Sequence, residues 1–204
     1  PRAAIAVTGC MAESDADILA AEPGVRFVIK TRDKSKLACR VTARPASLSN
    51  NGISFFEGRT RAFLKIQDGC NNFCTYCIVP YVRGRETSRP PQEILDEARN
   101  LTFQGVKEIT LLGQNVNSYV YGEVSFPVLL QAMNEIKGLQ RIRFTTSHPK
   151  DLSLDLIQCF GHLEKLCPHI HLPFQAGSNR VLKTMKRGYT REKYMDLIDE
   201  LRKV

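Results

Sequence analysis

Residues 68–84 read DGCNNFCTYCIVPYVRG and place three cysteines, Cys70, Cys74 and Cys77, at C-x3-C-x2-C spacing. They follow AFLKI (62–66), a strand-like run, so the thiols stand at the carboxyl end of a strand, where α/β folds gather their chemistry. Structural zinc takes four ligands in a closed shell. A fourth would have to come from Cys10, Cys39, Cys159, Cys167 or a distant histidine. A 4Fe-4S cluster is also held by thiolates, and with three supplied one iron stays open for a small molecule. Spacing alone leaves three readings open: an open-sided iron–sulfur cluster, which it favours, a zinc site, and unliganded structural thiols.

Outward from this loop the chain alternates strand and helix. Pro90 and Pro91 open a helix to about Gln104, with Ile94, Ala98 and Leu101 at helical spacing. KEITLLG (107–113) is the next strand, followed by a helix over 126–137, the strand RIRFTT (141–146), a helix over 152–160, the strand HIHL (169–172), a helix over 178–186, and a last amphipathic segment carrying Tyr194, Leu197, Ile198 and Leu201. Four strands each followed by a helix predict a parallel α/β sheet with helical crossovers. The pattern also admits a (β/α) barrel, which four strands are too few to close, so the expected fold class is α/β, with a truncated barrel as its closed form. The polar turns Gly113-Gln114-Asn115, Ser147-His148-Pro149 and Pro173-Phe174-Gln175 fall after successive strands, on the rim that carries Cys70. Each alone reads as an ordinary loop; together they predict a cleft.

Upstream, AAIAVTG (3–9), ESDADILAAEP (13–23) and VRFVI (25–29) read as strand, helix and strand, a small incomplete α/β domain. The expected organisation is a first domain over 1–45, a linker over 46–58 and a second domain over 59–204. Pro1 stands against a strand-like run, which points to a fragment with further chain upstream.

Lys and Arg outnumber Asp and Glu by 29 to 21, a formal charge of +8. Arg83, Arg85 and Arg89 follow the cysteines, and Arg180, Lys183, Lys186, Arg187, Arg191 and Lys193 crowd near the C-terminus. Such density suits a nucleic-acid or nucleotide partner, and equally a set of solvated helix faces. No apolar run approaches the ~20 residues of a membrane span. No signal-peptide layout opens the chain, so a cytoplasmic address is expected, where seven cysteines are poor disulfide candidates.

The C-x3-C-x2-C loop after the first strand, with Tyr76 before the last cysteine, resembles the radical S-adenosylmethionine superfamily. FLKIQDGCNNFCTYCIVPYVRGRETSRP (63–90), LLGQNVNSY (111–119), RIRFTTSHP (141–149), HLPFQAGSNRVLKTMKRGYTREKY (171–194) and VTGCMAE (7–13) resemble its methylthiotransferases. GQNVNSY and RGRETSRP point to the tRNA-modifying, MiaB-type branch, which acts on isopentenyladenosine. The resemblance runs through nearly the whole chain in order.

It implies that Cys70, Cys74 and Cys77 hold a 4Fe-4S cluster whose open iron binds the amino and carboxylate groups of S-adenosylmethionine. Tyr76 would lie near the adenine and Gly113, Gln114 and Asn115 near the methionine amino group. Ser147 and Gln175 would lie farther round the rim, toward the ribose or methionine end. His148 reads as structural rather than as an acid or base. The implied reaction abstracts a hydrogen with a 5′-deoxyadenosyl radical and adds a methylthio group to carbon 2 of the adenine beside the anticodon, with sulfur from a second 4Fe-4S cluster. The implied partners are the tRNA anticodon loop, with Arg83, Arg85, Lys186 and Arg187 as candidate contacts, and a low-potential electron donor of flavodoxin or ferredoxin type; a monomer is expected. Sister readings are thiomethylation of threonylcarbamoyladenosine or of a ribosomal protein, and the different-class reading is a zinc-stabilised RNA-binding module.

The chain departs from the family in two respects. Cys10 matches the third ligand of the second cluster, and the two that precede it are absent. Cys39, Cys159 and Cys167 read as buried structural thiols. The final barrel strands and the RNA-binding domain typical of the family are missing as well. The expectation is a core fragment that assembles at most the first cluster and does not complete turnover alone.

Overall fold

The computed structural model describes residues 3–31, 33, 37 and 58–204. Two compact units emerge, the first formed by the N-terminal residues with Ile78–Gly84, the second by the rest. In the first, β1 (Ile5–Thr8) pairs in parallel with β2 (Val25–Ile29). The single helix expected over 13–23 is two, α1 (Met11–Ser14) and α2 (Ala16–Ala21). The break is at Asp15, whose φ of −129° and ψ of 35° are not helical. Ser14 Oγ donates to Asp15 Oδ2, one of the local side-chain bonds that compete with a helix. A short helix, α3 (Val79–Val82), belongs to the same unit. Cys39 and the expected linker, Gly58 excepted, lie outside the described residues.

In the second unit β3 (Arg61–Lys65) leads through Ile66 into β4 (Gln67–Asp68), which pairs antiparallel with β5 (Thr87–Ser88). Then come α4 (Pro91–Phe103), β6 (Glu108–Leu112), and the hairpin of β7 (Val120–Tyr121) with β8 (Val124–Ser125). After α5 (Phe126–Asn134) and β9 (Arg141–Phe144) the chain is helical, in α6 (Leu154–His162), α7 (Asn179–Thr184) and α8 (Arg191–Leu201). Pro91 suits the first position of α4, where its missing N–H costs nothing. Ser153 Oγ accepts from Leu156 N, and Thr190 Oγ1 from Lys193 N, capping α6 and α8.

β3, β6 and β9 form a parallel sheet in that order, with α4 and α5 in the crossovers. The register aligns Ala62, Ile109 and Ile142, then Leu64, Leu111 and Phe144, on one face. That face buries against Ile94, Ala98 and Leu101 of α4, Leu129, Leu130 and Met133 of α5, and Leu156 of α6. A fully buried Leu or Ile contributes about 2 kcal/mol. A one-residue slip would turn all six strand residues outward, so burial sets the register. The opposite face is polar: Glu108 accepts ion pairs from Arg61 at 3.3 Å, Arg141 at 3.0 Å and Arg143 at 3.3 Å.

The fourth expected strand, 169–172, does not form. The chain makes a single parallel bridge one turn earlier, Leu166 against Ile142, flanked by hydrogen bonds from Ile142 N to Lys165 O and Cys167 N to Ile142 O. Pro168 then has no N–H to give, and His169 N turns back to Cys167 O at 2.7 Å, so the ladder stops. Among the described residues the sheet has three strands and does not close into a barrel.

Candidate functional site

The cysteine loop leaves β4 and is clamped at its base in the second unit. The β4–β5 pairing closes it, Arg89 N donates to Ile66 O at 2.9 Å, Arg89 Nη1 to Lys65 O at 2.7 Å, and Glu86 N to Asn71 Oδ1 at 3.3 Å. A further tie reaches the turn after α7, where Thr75 N donates to Met185 O at 3.2 Å. A loop held at both points presents its side chains in one arrangement.

These contacts bring the loop against the carboxyl ends of β6 and β9. A cavity of about 210 Å³ is lined by Cys70, Asn72, Cys74, Tyr76, Cys77, Gln114, Asn115, Thr146, Ser147, His148, His171, Pro173, Gln175 and Arg187. The three thiols, Tyr76, Gln114, Asn115, Ser147 and Gln175 thus meet at one site. Gly113 does not line it but supports it, since its missing side chain leaves room for Gln67. Cys10 stands in the first unit at the start of α1, with no second cysteine among that unit's described residues. Arg85 is exposed and lies over the Phe73 ring, Lys186 is exposed, and Arg83 is half-buried in the first unit.

Arg187 requires a correction. The surface-cation reading fails because its side chain is buried, with 5% of the residue exposed, and points to Cys74 Sγ at 3.3 Å. Among the described residues, four other than glycine have positive φ: Phe73 at 46°, Thr146 at 63°, Gln175 at 65° and Lys186 at 55°. All lie in the loops around this cavity. For a β-branched residue such as Thr146 the conformation is strained, and such strain concentrates at functional sites.

The polar lining is incompletely satisfied. Gln114 Oε1, Asn115 Oδ1, Ser147 Oγ, His148 Nε2 and Arg187 Nε are buried without a partner among the described residues. An unpaired buried polar atom costs about 1–3 kcal/mol. Five around one cavity fit a polar guest that offers both donors and acceptors. His148 Nδ1 accepts from Lys150 N at 3.1 Å, which leaves the ring proton on Nε2. Burial first, then the charges of Arg187 and Lys150, push the His148 pKa down to about 3. This imidazole is a neutral donor, not an acid or base. Glu86, outside the cavity lining, accepts from Ser118 Oγ at 2.7 Å, and burial raises its pKa against the opposing bonds from Ser118 and Gln67.

The thiols fit a cationic centre. Cys70 is 8% exposed and Cys74 7%. Burial pushes the Cys70 thiol up, and the neighbouring Cys74, Glu86 and Cys77 add to it against a bond from the Asn72 backbone. A positive cluster relieves this crowding of sulfur. Among the described residues no three His, Cys, Asp or Glu side chains converge on a single ion. A cubane places each thiolate on a different iron and needs no such convergence. Cys159 and Cys167 are buried away from this lining.

The sequence reading placed His148 in a strand-end turn as a structural residue, and missed His171, Thr146 and the role of Arg187; for Arg187 nothing local distinguished it from its basic neighbours.

Comparison with known proteins is consistent with this site. A sequence model described as the Radical SAM superfamily matches residues 64–204. The tRNA-2-methylthio-N(6)-dimethylallyladenosine synthase of Syntrophus aciditrophicus is 48% identical over 218 residues, covering 98% of this chain and 47% of that protein. Its namesake from Syntrophotalea carbinolica is 48% identical over 225 residues, covering 100% and 51%. The chain spans about half the length of these curated relatives. Among solved structures, the cobalamin-dependent S-adenosylmethionine radical enzyme OxsB with aqua-cobalamin and S-adenosylmethionine bound aligns with a TM-score of 0.65 at 13% identity, over 96% of this chain and 34% of that one. The radical S-adenosylmethionine methyltransferase TsrM from Kitasatospora setae, with tryptophan substrate and a cofactor analogue, aligns at 0.57 and 18%, over 71% and 28%. At these identities the likeness concerns the fold.

Proposed function

The chain belongs to the radical SAM superfamily, and on that premise we propose that it is the core of a tRNA methylthiotransferase acting on carbon 2 of N6-isopentenyladenosine beside the anticodon. The observation that carries this reading is the near-full-chain alignment, at 48% identity, with synthases named for that product.

Cys70, Cys74 and Cys77 would hold a 4Fe-4S cluster, each thiolate on a different iron, with the fourth iron left to S-adenosylmethionine. When bound, the pair supplies the radical that removes a hydrogen too weakly acidic for an ordinary base. The residues of this chain bind and orient. Gln114 Oε1 and Asn115 Oδ1, both unpaired acceptors, suit an ammonium group. Ser147 Oγ and the Nε2–H of His148 suit hydroxyl or carboxylate oxygens, and Tyr76 offers a ring face to a purine. Burial of Cys70 and Cys74 keeps water from the sulfur side.

In this reading residues 59–204 are the first part of a (β/α) barrel, 46–58 a linker and 1–45 part of a domain that carries the second 4Fe-4S cluster. Cys10 would supply one ligand to that second cluster. The target adenosine must be unstacked to be reached, consistent with a single-stranded anticodon loop as partner. Exposed Arg85 and Lys186, together with Arg83, are the candidate phosphate contacts. A low-potential one-electron donor, a monomeric state and a cytoplasmic address complete the proposal; no helix among the described residues is long and apolar enough to cross a membrane.

Anaerobic reconstitution followed by iron and sulfide analysis tests the centre. The expected result is a brown protein with matched iron and sulfide whose colour is lost in Cys74→Ala. A colourless protein holding one zinc would overturn it. Mass analysis of tRNA nucleosides from cells lacking the gene tests the substrate: loss of the methylthio group from isopentenyladenosine is expected.

A further inference from the structure

Arg187 is a buried cation without a carboxylate. Its Nη1 donates to Cys74 Sγ at 3.3 Å and its Nη2 to Pro173 O at 3.4 Å, the guanidinium lies 5.5 Å from the Tyr189 ring centre, and Nε has no partner among the described residues. Among the described residues no Asp or Glu pairs with it. A charge taken out of water without an anion is strongly disfavoured, so the site must supply negative charge. The nearest source is the sulfur of Cys74.

Its placement is built in. The turn after α7 puts Lys186 at φ 55° and Gly188 at φ 71°, Arg187 N donates to Leu182 O at 3.0 Å, and Thr75 N holds the cysteine loop to the same turn through Met185 O. The guanidinium therefore reaches Cys74 from a segment that is itself bonded to the Cys74 loop.

We infer that Arg187 is a positioning residue for the cluster: it hydrogen-bonds the Cys74 thiolate and stabilises the reduced state. This deepens the cluster reading above and rests on it. One-electron reduction adds one negative charge to the iron, sulfide and thiolate assembly, the electron coming from the low-potential donor. A fixed cation against one thiolate favours that added charge, and hydrogen bonds to the sulfurs and net charge are among the factors that set cluster potentials. The same bond aims the Cys74 sulfur and satisfies a donor that would otherwise be buried unpaired.

The test is a redox titration of the reconstituted protein against Arg187→Met and Arg187→Lys. Arg187→Met is expected to lower the reduced-to-oxidised ratio at a given potential about tenfold, a midpoint shift of about 59 mV to more negative values, with Arg187→Lys recovering part of it. An unchanged midpoint in a folded, cluster-loaded Arg187→Met overturns the inference. So does weaker binding of S-adenosylmethionine with no change in midpoint, which would make Arg187 a ligand clamp. If Arg187→Met does not fold or holds no cluster, the parent protein labelled with 15N-arginine decides. Pulsed electron paramagnetic resonance of its reduced cluster should show coupling to a guanidinium nitrogen, and absence of that coupling overturns the assignment. A parent protein that takes up no iron and sulfide would instead refute the cluster reading.

Discussion

Asn115 Nδ2 donates to Asp151 Oδ2 across 2.7 Å, and this one bond decides which end of the Asn115 amide is left over. With the nitrogen turned to the carboxylate, Oδ1 is the unpaired atom, an acceptor. Asn115→Ala should weaken S-adenosylmethionine binding to cluster-loaded protein about tenfold, the size of one hydrogen bond to a charged group. Asp151→Ala should weaken it less, because the amide survives but is free to turn. Anaerobic equilibrium dialysis measures both, and full affinity in Asn115→Ala would remove that residue from the binding site.

Gly113 is held to glycine by a close approach rather than by its backbone angles. A Cβ there would meet Gln67 Oε1 at 2.7 Å and Gln67 Cβ at 3.2 Å. Gln67 is fully buried, accepts from Asn115 N at 3.2 Å and donates to Ser118 Oγ at 3.0 Å, so it cannot yield without loosening the strand-end turn. Gly113→Ala should cost about 1–3 kcal/mol of stability, as overpacking does, and lower cofactor affinity as well. Thermal unfolding read beside dialysis separates the two effects; a variant as stable as its parent would show that Gln67 yields freely.

Glu108 balances three arginines on the polar face of the sheet. Its side chain is buried while Arg61, Arg141 and Arg143 are partly in water. Glu108→Ala should destabilise the second unit by about 2 kcal/mol, less than a fully buried pair because solvent screens the arginine ends. Denaturant unfolding measures this, and the loss should shrink at high salt.

His148 makes stability depend on pH. Its pKa is about 3 in the fold and near 6.5 when unfolded. Below 6.5 only the unfolded chain takes up the proton, so the contribution is complete above 6.5 and is lost as pH falls toward 3. At pH 5.5 the loss is about 1.4 kcal/mol. Comparing pH 7.5 with pH 5.5, His148→Gln should lose less stability than the parent; equal losses would place a protonatable, solvated ring at 148.

The three thiols, their spacing and their seat at a strand end were legible because each is a local property of the chain. The same holds for α4, β6 and β9, whose apolar periods repeat within a few residues. Local rules failed where a hydrogen bond between near neighbours intervened, as when Asp15 split one expected helix or when Pro168 and the amide of His169 ended a strand at a single bridge.

Arg187 marks the other limit. It contacts Cys74 across 113 positions of chain, and in sequence it is one of several cations in a basic stretch. Covalent spacing determined that three sulfurs stand together in one strand-end loop. Only packing decided which cation, which amide oxygens and which imidazole face them, because burial and hydrogen-bond partners are set by segments far apart in the chain.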